Sequence, residues 1–200
     1  MRITFILLGW MFVSGGLYGQ DQIDYQDRAL MKVLRESGTD HFSMLSEIGV
    51  ADSLKQQYRV TGKFFEINDP GNSRYRYLYT GRVYSCRAGG CSASAGLPEE
   101  AGLPEEAGLP EEAGSEYFDY FILYDPDKTV QRVKVFNYQA THGYEITSRG
   151  WLKQFIGYTG SEPLQVDKNI DAITGATIST HAITKDIRAK TVLLQSGLDE

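Results

Sequence analysis

The stretch Asp171-Ala172-Ile173-Thr174-Gly175-Ala176-Thr177-Ile178-Ser179-Thr180 leads from a run of short residues directly into a helical pattern. Apolar residues then recur at helical spacing as far as Leu194, and Gly197 stands where a helix would stop. A helix start has backbone N–H groups without partners and the positive end of the helix dipole, so it attracts phosphate. Gly175 and Ala176 lack bulk, so a ligand can approach the backbone closely. Three hydroxyls can donate to a phosphate or be joined to one: Thr177, Ser179 and Thr180. The stretch therefore predicts a phosphate-binding helix start, with an ordinary helix cap as the simpler alternative.

The pattern Asp-x-x-Thr-Gly-Ala-Thr, from Asp171 to Thr177, resembles the flavinylation motif of the FMN-binding domain family. That family includes the C subunit of the sodium-pumping NADH:quinone reductase and the G subunit of the Rnf complex. In it, a flavin transferase joins the phosphate of FMN to the hydroxyl of the threonine that follows Gly-Ala. The resemblance implies FMN as the cofactor and Thr177 as the covalent acceptor. It also implies that the following residues contact the cofactor or frame the acceptor: Asp171, Thr174, Gly175, Ala176, Ile178, Ser179 and Thr180.

Two hairpin patterns precede this motif. Residues 58–67 and 75–85 are rich in aromatic and β-branched side chains and flank the turn sequence Asp-Pro-Gly-Asn. Residues 117–124 and 129–138 flank Asp-Pro-Asp-Lys in the same way. Strands joined as hairpins form antiparallel sheets. We therefore expect an α+β fold, with an antiparallel sheet of about four or more strands flanked by helices, as in FMN-binding domains.

The connection between the second hairpin and the motif carries a second point of resemblance. Thr141-His142-Gly143 loosely resembles a His/Gly segment that approaches the isoalloxazine ring in the family, which implies His142 and Gly143 as FMN-binding residues. The residues from Ser148 to Ile156 then predict a short amphipathic helix stopped by Gly157. Several aromatic side chains could stack on a flavin ring, although core packing is the simpler interpretation: Tyr75, Tyr77, Tyr79, Tyr144 and Trp151.

The amino-terminal part of the chain has a different character. Residues 1–19 combine a positive start, a short apolar run and a small-residue end, which is typical of a secretory signal peptide. The apolar run is shorter than the ~20 residues that span a bilayer. We expect an exported protein, periplasmic or otherwise extracytoplasmic, that stays tethered if the signal is uncleaved. Residues 20–56 predict a helical segment, with helices over 24–36 and 42–48, and residues 57–197 predict the FMN-binding domain.

A low-complexity insertion, residues 92–115, separates the two hairpins. Within it the sequence Ala-Gly-Leu-Pro-Glu-Glu occurs three times without variation. Proline in every copy prevents a regular helix or a central strand, and lengthening a flexible loop costs little closure entropy. We interpret the insertion as an extended loop, with binding of a partner through Leu-Pro-Glu-Glu as the alternative.

The chain has two cysteines, Cys86 and Cys91, in the sequence Cys-Arg-Ala-Gly-Gly-Cys. In an exported protein such a pair predicts a disulfide that closes a small loop. The alternative is a redox-active dithiol, because Arg87 favours the thiolate form. Two cysteines and scattered histidines do not supply a metal site, so no metal is expected. The net charge of −6, without a Lys/Arg run, argues against nucleic acid.

The leading hypothesis is an exported electron-transfer flavoprotein that carries FMN, covalently bound through a threonine phosphoester. Its expected partners are a flavin transferase for maturation and a membrane-bound redox protein. It would be a carrier rather than a stand-alone enzyme. Two alternatives remain open: a non-covalent FMN binder or reductase of the same fold, and a non-enzymatic surface protein whose repeat binds a partner.

Overall fold

In a computed structural model of the chain, the described residues are 28–36, 44–70, 74–85 and 116–198. The helices are α1 (Arg28–Glu36), α2 (Asp52–Gln57), α3 (Arg149–Leu152) and α4 (Thr177–Ser196). The strands are β1 (Leu45–Ile48), β2 (Lys63–Ile67), β3 (Tyr77–Ser85), β4 (Glu116–Tyr124) and β5 (Val130–Tyr138). Short 3₁₀ turns at Tyr144–Thr147 and Lys153–Phe155 lie on either side of α3.

The strands form one five-stranded sheet in the order β1-β2-β3-β4-β5. Every neighbouring pair is antiparallel. The α+β class and the antiparallel sheet predicted from the hairpin patterns are therefore confirmed.

Helices cover both faces of this sheet. On one face, Tyr79, Tyr120 and Tyr124 are fully buried in a cluster that also contains Ile183 and Ile187 of α4. On the other face, the apolar side of α1 packs against the sheet in a second cluster, with these members among others: Leu30, Val33, Leu34, Leu78 and Phe121. The sheet is thus the middle layer, and α4 lies across the tyrosine-rich face.

A buried ion pair fixes how α4 lies on the sheet. The Lys190 side chain is fully buried, and its Nζ donates to the Asp186 carboxylate at 2.5 Å. The same Nζ donates to the carbonyl oxygens of Tyr58 and Arg59, just after α2, at 2.9 and 3.1 Å. Asp186 also accepts from the hydroxyl of Tyr120 in β4. A buried charge is tolerated only when it is paired and hydrogen-bonded, and these bonds join α4 both to the sheet and to the end of α2.

The sequence-based predictions near the amino terminus need two corrections. The helix predicted over 42–48 is wrong, because Leu45–Ile48 is an edge strand that pairs with β2 in the register Leu45↔Ile67. The strand predicted from Tyr58 begins only at Lys63, since the chain first forms the short helix α2 and a turn. In the first case non-local pairing decides the structure, and single-sequence periodicity does not report it. In the second case local hydrogen bonds continue past α2, since the N–H groups of Tyr58 and Val60 donate to carbonyl oxygens within the helix.

The strand ends on either side of the predicted insertion are directly paired. Ser85, the last residue of β3, pairs with Glu116, the first residue of β4. A loop between directly paired strand ends can change length without changing the register on either side. Three predicted features lie outside the described residues: the insertion, the pairing of Cys86 with Cys91, and the signal peptide. They stay predictions.

Candidate functional site

The motif forms a tight turn followed at once by α4. The N–H of Ala176 donates to the carbonyl of Ile173 at 3.0 Å, and Gly175 within this turn has φ +82°. That left-handed conformation is open to glycine at no steric cost. The Gly-Ala pair of the motif is therefore needed to reverse the chain directly before the helix.

The start of α4 has no capping side chain. Ala176 occupies the N-cap position and makes no side-chain bond to the first turn. The Thr180 hydroxyl donates to the Ala176 carbonyl at 2.8 Å and is buried, and Ser179 is buried as well. Thr177 is the first helical residue and is exposed. Of the three hydroxyls in the first turn of α4, the one on Thr177 thus faces solvent beside uncapped N–H groups, as an acceptor for a phosphate would.

The residues before the turn are anchored through their backbone. Trp151 Nε1 donates to the carbonyl oxygen of Asp171 at 2.8 Å, and the N–H of Asp171 donates to Gln154 Oε1 at 2.9 Å. The side chains of Asp171 and Thr174 are exposed. The predicted helix after Ser148 is present as α3 and a 3₁₀ turn, and Trp151 within it holds the motif in place. Sequence reasoning missed this role, because a tryptophan on an amphipathic helix carries no signal for a distant backbone partner.

The His142-Gly143 segment meets the helix start. Gly143 has φ +87°, and a Cβ built on it would lie 2.8 Å from Ser179 Oγ and 3.1 Å from the Tyr138 hydroxyl. The first contact is closer than real Cβ atoms make and the second is tight, so a side chain here would force Ser179 or Tyr138 to shift, on a left-handed backbone that favours glycine. The structure therefore brings together the two segments that the sequence resemblance singled out.

Tyr138, at the end of β5, joins these two segments. Its hydroxyl donates to the carbonyl oxygen of His142 and lies 3.5 Å from Ser179 Oγ. Burial raises the pKa of the Tyr138 hydroxyl, although its contact with Ser179 acts in the opposite direction. The phenol therefore remains protonated and able to donate across the neutral range. Sequence reasoning also missed Tyr138, which read as an ordinary strand residue.

Exposed apolar side chains flank the site. Tyr144 is 67% exposed directly after Gly143, and Ile178 is 50% exposed directly after Thr177. Tyr144 also makes an edge contact with Tyr138, at 5.5 Å between ring centroids. Of the other aromatic candidates, Tyr75, Tyr79 and Trp151 are buried core residues. Tyr144 and Ile178 together supply apolar surface that a planar ring could cover.

Among the described residues there is no cluster of acidic, histidine or cysteine side chains that could hold a metal ion. Within the described residues, no helix combines the length and the apolar character that crossing a membrane requires.

The Gly143 contacts lead to a testable expectation. Gly143→Ala should destabilise the fold by about 2–5 kcal/mol, because it adds left-handed strain of about 1–2 kcal/mol to an overpacking cost of about 1–3 kcal/mol. Gly175→Ala should cost only the strain, since nothing lies within 4 Å of a Cβ there. Urea denaturation of the two variants measures the difference.

Gly150, in α3, is the matched control for these variants. It has open space around a Cβ and no left-handed backbone, so Gly150→Ala should be neutral or slightly stabilising. The double variant Gly143→Ala/Ser179→Ala should recover part of the Gly143→Ala loss. Equal stability of Gly143→Ala and Gly175→Ala would refute the steric contact with Ser179.

Comparison with known proteins agrees with this geometry. Residues 117–190 match the family profile described as FMN-binding domain. This range contains β5, all of β4 except Glu116, the His142-Gly143 segment and the whole Asp171–Thr177 motif. No curated protein and no solved structure matched the chain. The profile match supports a flavin-binding function with FMN as the cofactor. This match to the FMN-binding domain family over residues 117–190 confirms the resemblance that the sequence motif indicated.

Proposed function

We propose that the protein is an exported electron carrier whose FMN is bound covalently, through a phosphoester, to Thr177. The observation that carries the proposal is the exposed Thr177 hydroxyl at the uncapped first residue of a 20-residue helix, directly after the Gly-Ala turn. In the modification, the threonine Oγ–P bond forms, the bond from phosphorus to the leaving group of an activated flavin phosphate breaks, and the hydroxyl proton is lost.

The surroundings of Thr177 suit the product of that reaction. The phosphodiester keeps one negative charge, and the positive end of the α4 dipole stabilises an anion by about 0.3–1 kcal/mol. The turn at Gly175 leaves open space around the backbone, so a flavin transferase has access to the hydroxyl. Asp171 and Thr174 are exposed on the same turn, where that enzyme could recognise them.

The His142-Gly143 segment is placed to bind the isoalloxazine ring of the cofactor. Gly143 packs against Ser179, two residues after Thr177, and Tyr144 and Ile178 present exposed apolar surface on either side of this contact. When bound, the isoalloxazine ring supplies one- and two-electron chemistry. The residues of the chain bind the ring, orient it and tune its surroundings.

Export and electron transfer complete the proposal. The signal-like residues 1–19 support export, and a covalent bond retains a cofactor that could not readily be replaced outside the cytoplasm. Electrons would then pass between the flavin and a membrane-bound redox partner.

Coexpression with a flavin transferase, followed by mass spectrometry of the denatured protein, tests the covalent bond. We expect a mass gain of one FMN less one water, complete loss of that gain in Thr177→Ala, and partial retention in Thr177→Ser. Thr159→Ala is the matched control, since Thr159 is another exposed threonine that lies outside the motif. It should keep the full mass gain.

The alternatives give other results in the same experiment. A non-covalent binder would be yellow when native, lose its flavin on denaturation and show no mass gain. An unmodified chain that binds no flavin would favour a surface protein acting through its repeat. A mass gain that persists in Thr177→Ala would place the ester on another hydroxyl and end the present assignment.

A further inference from the structure

A buried carboxylate lies behind the His142-Gly143 segment. Glu116 is only 5% exposed, and its Oε1 accepts a hydrogen bond from the Thr141 hydroxyl at 2.5 Å. The oxygen of the same hydroxyl lies 2.9 Å from Nδ1 of His142. Glu116, Thr141 and His142 thus form a continuous chain of polar contacts, from the start of β4 to the exposed imidazole.

The protons along this chain can be assigned. A carboxylate only accepts hydrogen bonds, and a threonine hydroxyl has a single proton to donate. Because that proton goes to Glu116, the Thr141 oxygen is left as an acceptor toward His142. The contact at 2.9 Å is then a hydrogen bond only if Nδ1 carries a proton.

The histidine is also held through its backbone. The Tyr138 hydroxyl donates to the His142 carbonyl, and the next residue, Gly143, packs against Ser179 of α4. The imidazole is therefore oriented from two sides, close to the helix start that carries Thr177.

We infer that Glu116 and Thr141 are positioning residues that hold neutral His142 with its proton on Nδ1, so that Nε2 accepts a hydrogen bond from a ring N–H. This deepens the proposed function and rests on it for the identity of the ring. The oxidised isoalloxazine ring has one N–H group, at N3, and its other polar atoms are acceptors. A phosphate in its charged form offers no proton to Nε2. The assignment therefore directs His142 to the flavin ring and leaves the phosphate to the start of α4.

The tautomer is measurable in the protein without flavin. In nitrogen-15 spectra at about pH 8.5, where an ordinary imidazole is neutral, His142 should show a protonated Nδ1 and an unprotonated Nε2. Thr141→Val removes the hydroxyl at nearly constant volume and should shift His142 toward the tautomer protonated on Nε2. Thr141→Ser should restore the pattern of the unmodified protein.

His181, in α4, serves as the internal control and should give the same signals in all three proteins. A shift at His181 as well would indicate a general structural change rather than the loss of one hydrogen bond, and would count against the assignment. Predominant protonation of Nε2 in the unmodified protein, or an unchanged tautomer in Thr141→Val, would overturn it.

A binding titration tests the assignment of Nε2 of His142 to the N–H group of the flavin ring. Fluorescence titration of the flavin-free full chain should show FMN binding about two- to tenfold more tightly than 3-methyl-FMN, which lacks the N3 proton. Thr141→Val should reduce this preference. Equal affinity for the two compounds would overturn the assignment of His142 to N3–H. Failure to bind either compound would also overturn the assignment of His142 to N3–H, whereas the covalent flavin function is decided separately by the mass gain in the unmodified protein and its loss in Thr177→Ala.

Discussion

Replacing Asp119 with alanine should lower the free energy of unfolding by about 3–5 kcal/mol, the cost of leaving a buried charge without its partner. Asp119 is 1% exposed, and it accepts from Nε and Nη2 of Arg82 at 2.8 and 3.2 Å. Asn137 donates to the same carboxylate at 2.8 Å. The variant would therefore take this carboxylate, on β4, away from the buried guanidinium of Arg82 on β3 and from the partly buried amide of Asn137 on β5.

The charge on Arg82 cannot be removed to relieve this cost. Burial acts to lower the pKa of Arg82, but the hydrogen bond and the charge of Asp119 outweigh it, and the net pKa is raised. The guanidinium also lies 3.8 Å from the centre of the Tyr117 ring, so it has little room to reach water. Urea denaturation at neutral pH measures the loss of stability.

A surface ion pair of the same sheet is the matched control. Arg76 and Glu66 lie 2.7 Å apart, but their side chains are 45% and 34% exposed. Glu66→Ala should therefore cost only about 0–1 kcal/mol. If Asp119→Ala and Glu66→Ala destabilise the protein equally, water screens the Arg82–Asp119 pair and the burial argument fails.

The parts of the fold that sequence predicted correctly are those with a local cause. Helix α4 follows from apolar residues at helical spacing between a glycine turn and Gly197, and its first residue, Thr177, was anticipated. Strands β3, β4 and β5 lie within two residues of the predicted ends, because turn sequences bound them. These signals sit within a few residues of the element that they define.

Strand β1 shows where local signals fail. Met44, Leu45 and Ile48 are spaced as on one side of a helix, and this suggested the wrong structure. The segment is a strand because its backbone pairs with β2, from Leu45↔Ile67 to Ile48↔Phe64. Pairing with a distant segment outweighs a weak local preference over so few residues.

The candidate site was also predicted from the sequence only in part. The motif and the His142-Gly143 segment could be named because their residue types resemble a family pattern, but the contact between Gly143 and Ser179 emerges only from the fold. The residues that hold these segments were not predicted: Glu116, Tyr138, Trp151 and Gln154. Each is a strand or helix residue whose role is a hydrogen bond to a partner distant in sequence or in a loop, and no spacing rule reveals such a bond.

The buried tyrosines beneath α4, Tyr120 and Tyr124, should make the protein unfold in alkali. Burial raises the pKa of Tyr120 well above its ordinary value, with the nearby charge of Asp186 adding to the effect. Burial also raises the pKa of Tyr124, although its hydrogen bond with Thr191 acts in the opposite direction. The folded state thus keeps two protons that the unfolded chain releases above about pH 10. Stability is fully present below that pH and should then fall, with Tyr120 and Tyr124 together contributing about 2.7 kcal/mol per pH unit.

Burial also raises the pKa of Tyr138 and of Tyr158, so these two phenols add to the fall in stability until they ionise in the folded state. Two groups of other types set the pH range in which the slope should be measured. Burial lowers the pKa of Lys185, with Arg59 adding to the effect, so Lys185 makes stability rise with pH until the unfolded lysine has titrated, at about pH 10.4. The raised pKa of Arg82 affects the pH dependence of stability only above the range in which the tyrosines are measured. Urea denaturation between about pH 10.5 and pH 12 therefore reports mainly the buried tyrosines.

Tyr124→Phe isolates the contribution of one phenol. Its hydroxyl contacts Thr191 at 3.3 Å, and Thr191 keeps its own bond to the Ile187 carbonyl when that hydroxyl is removed. The variant should fold at neutral pH with a small loss, because one weak hydrogen bond is removed and no buried charge is left behind. Above about pH 10.5 the slope of its stability against pH should be smaller than that of the unmodified protein by ~1.4 kcal/mol per pH unit. An unchanged slope, or phenolate absorbance that rises before the fold is lost, would mean that these tyrosines ionise in the folded state and that α4 does not seal them from water.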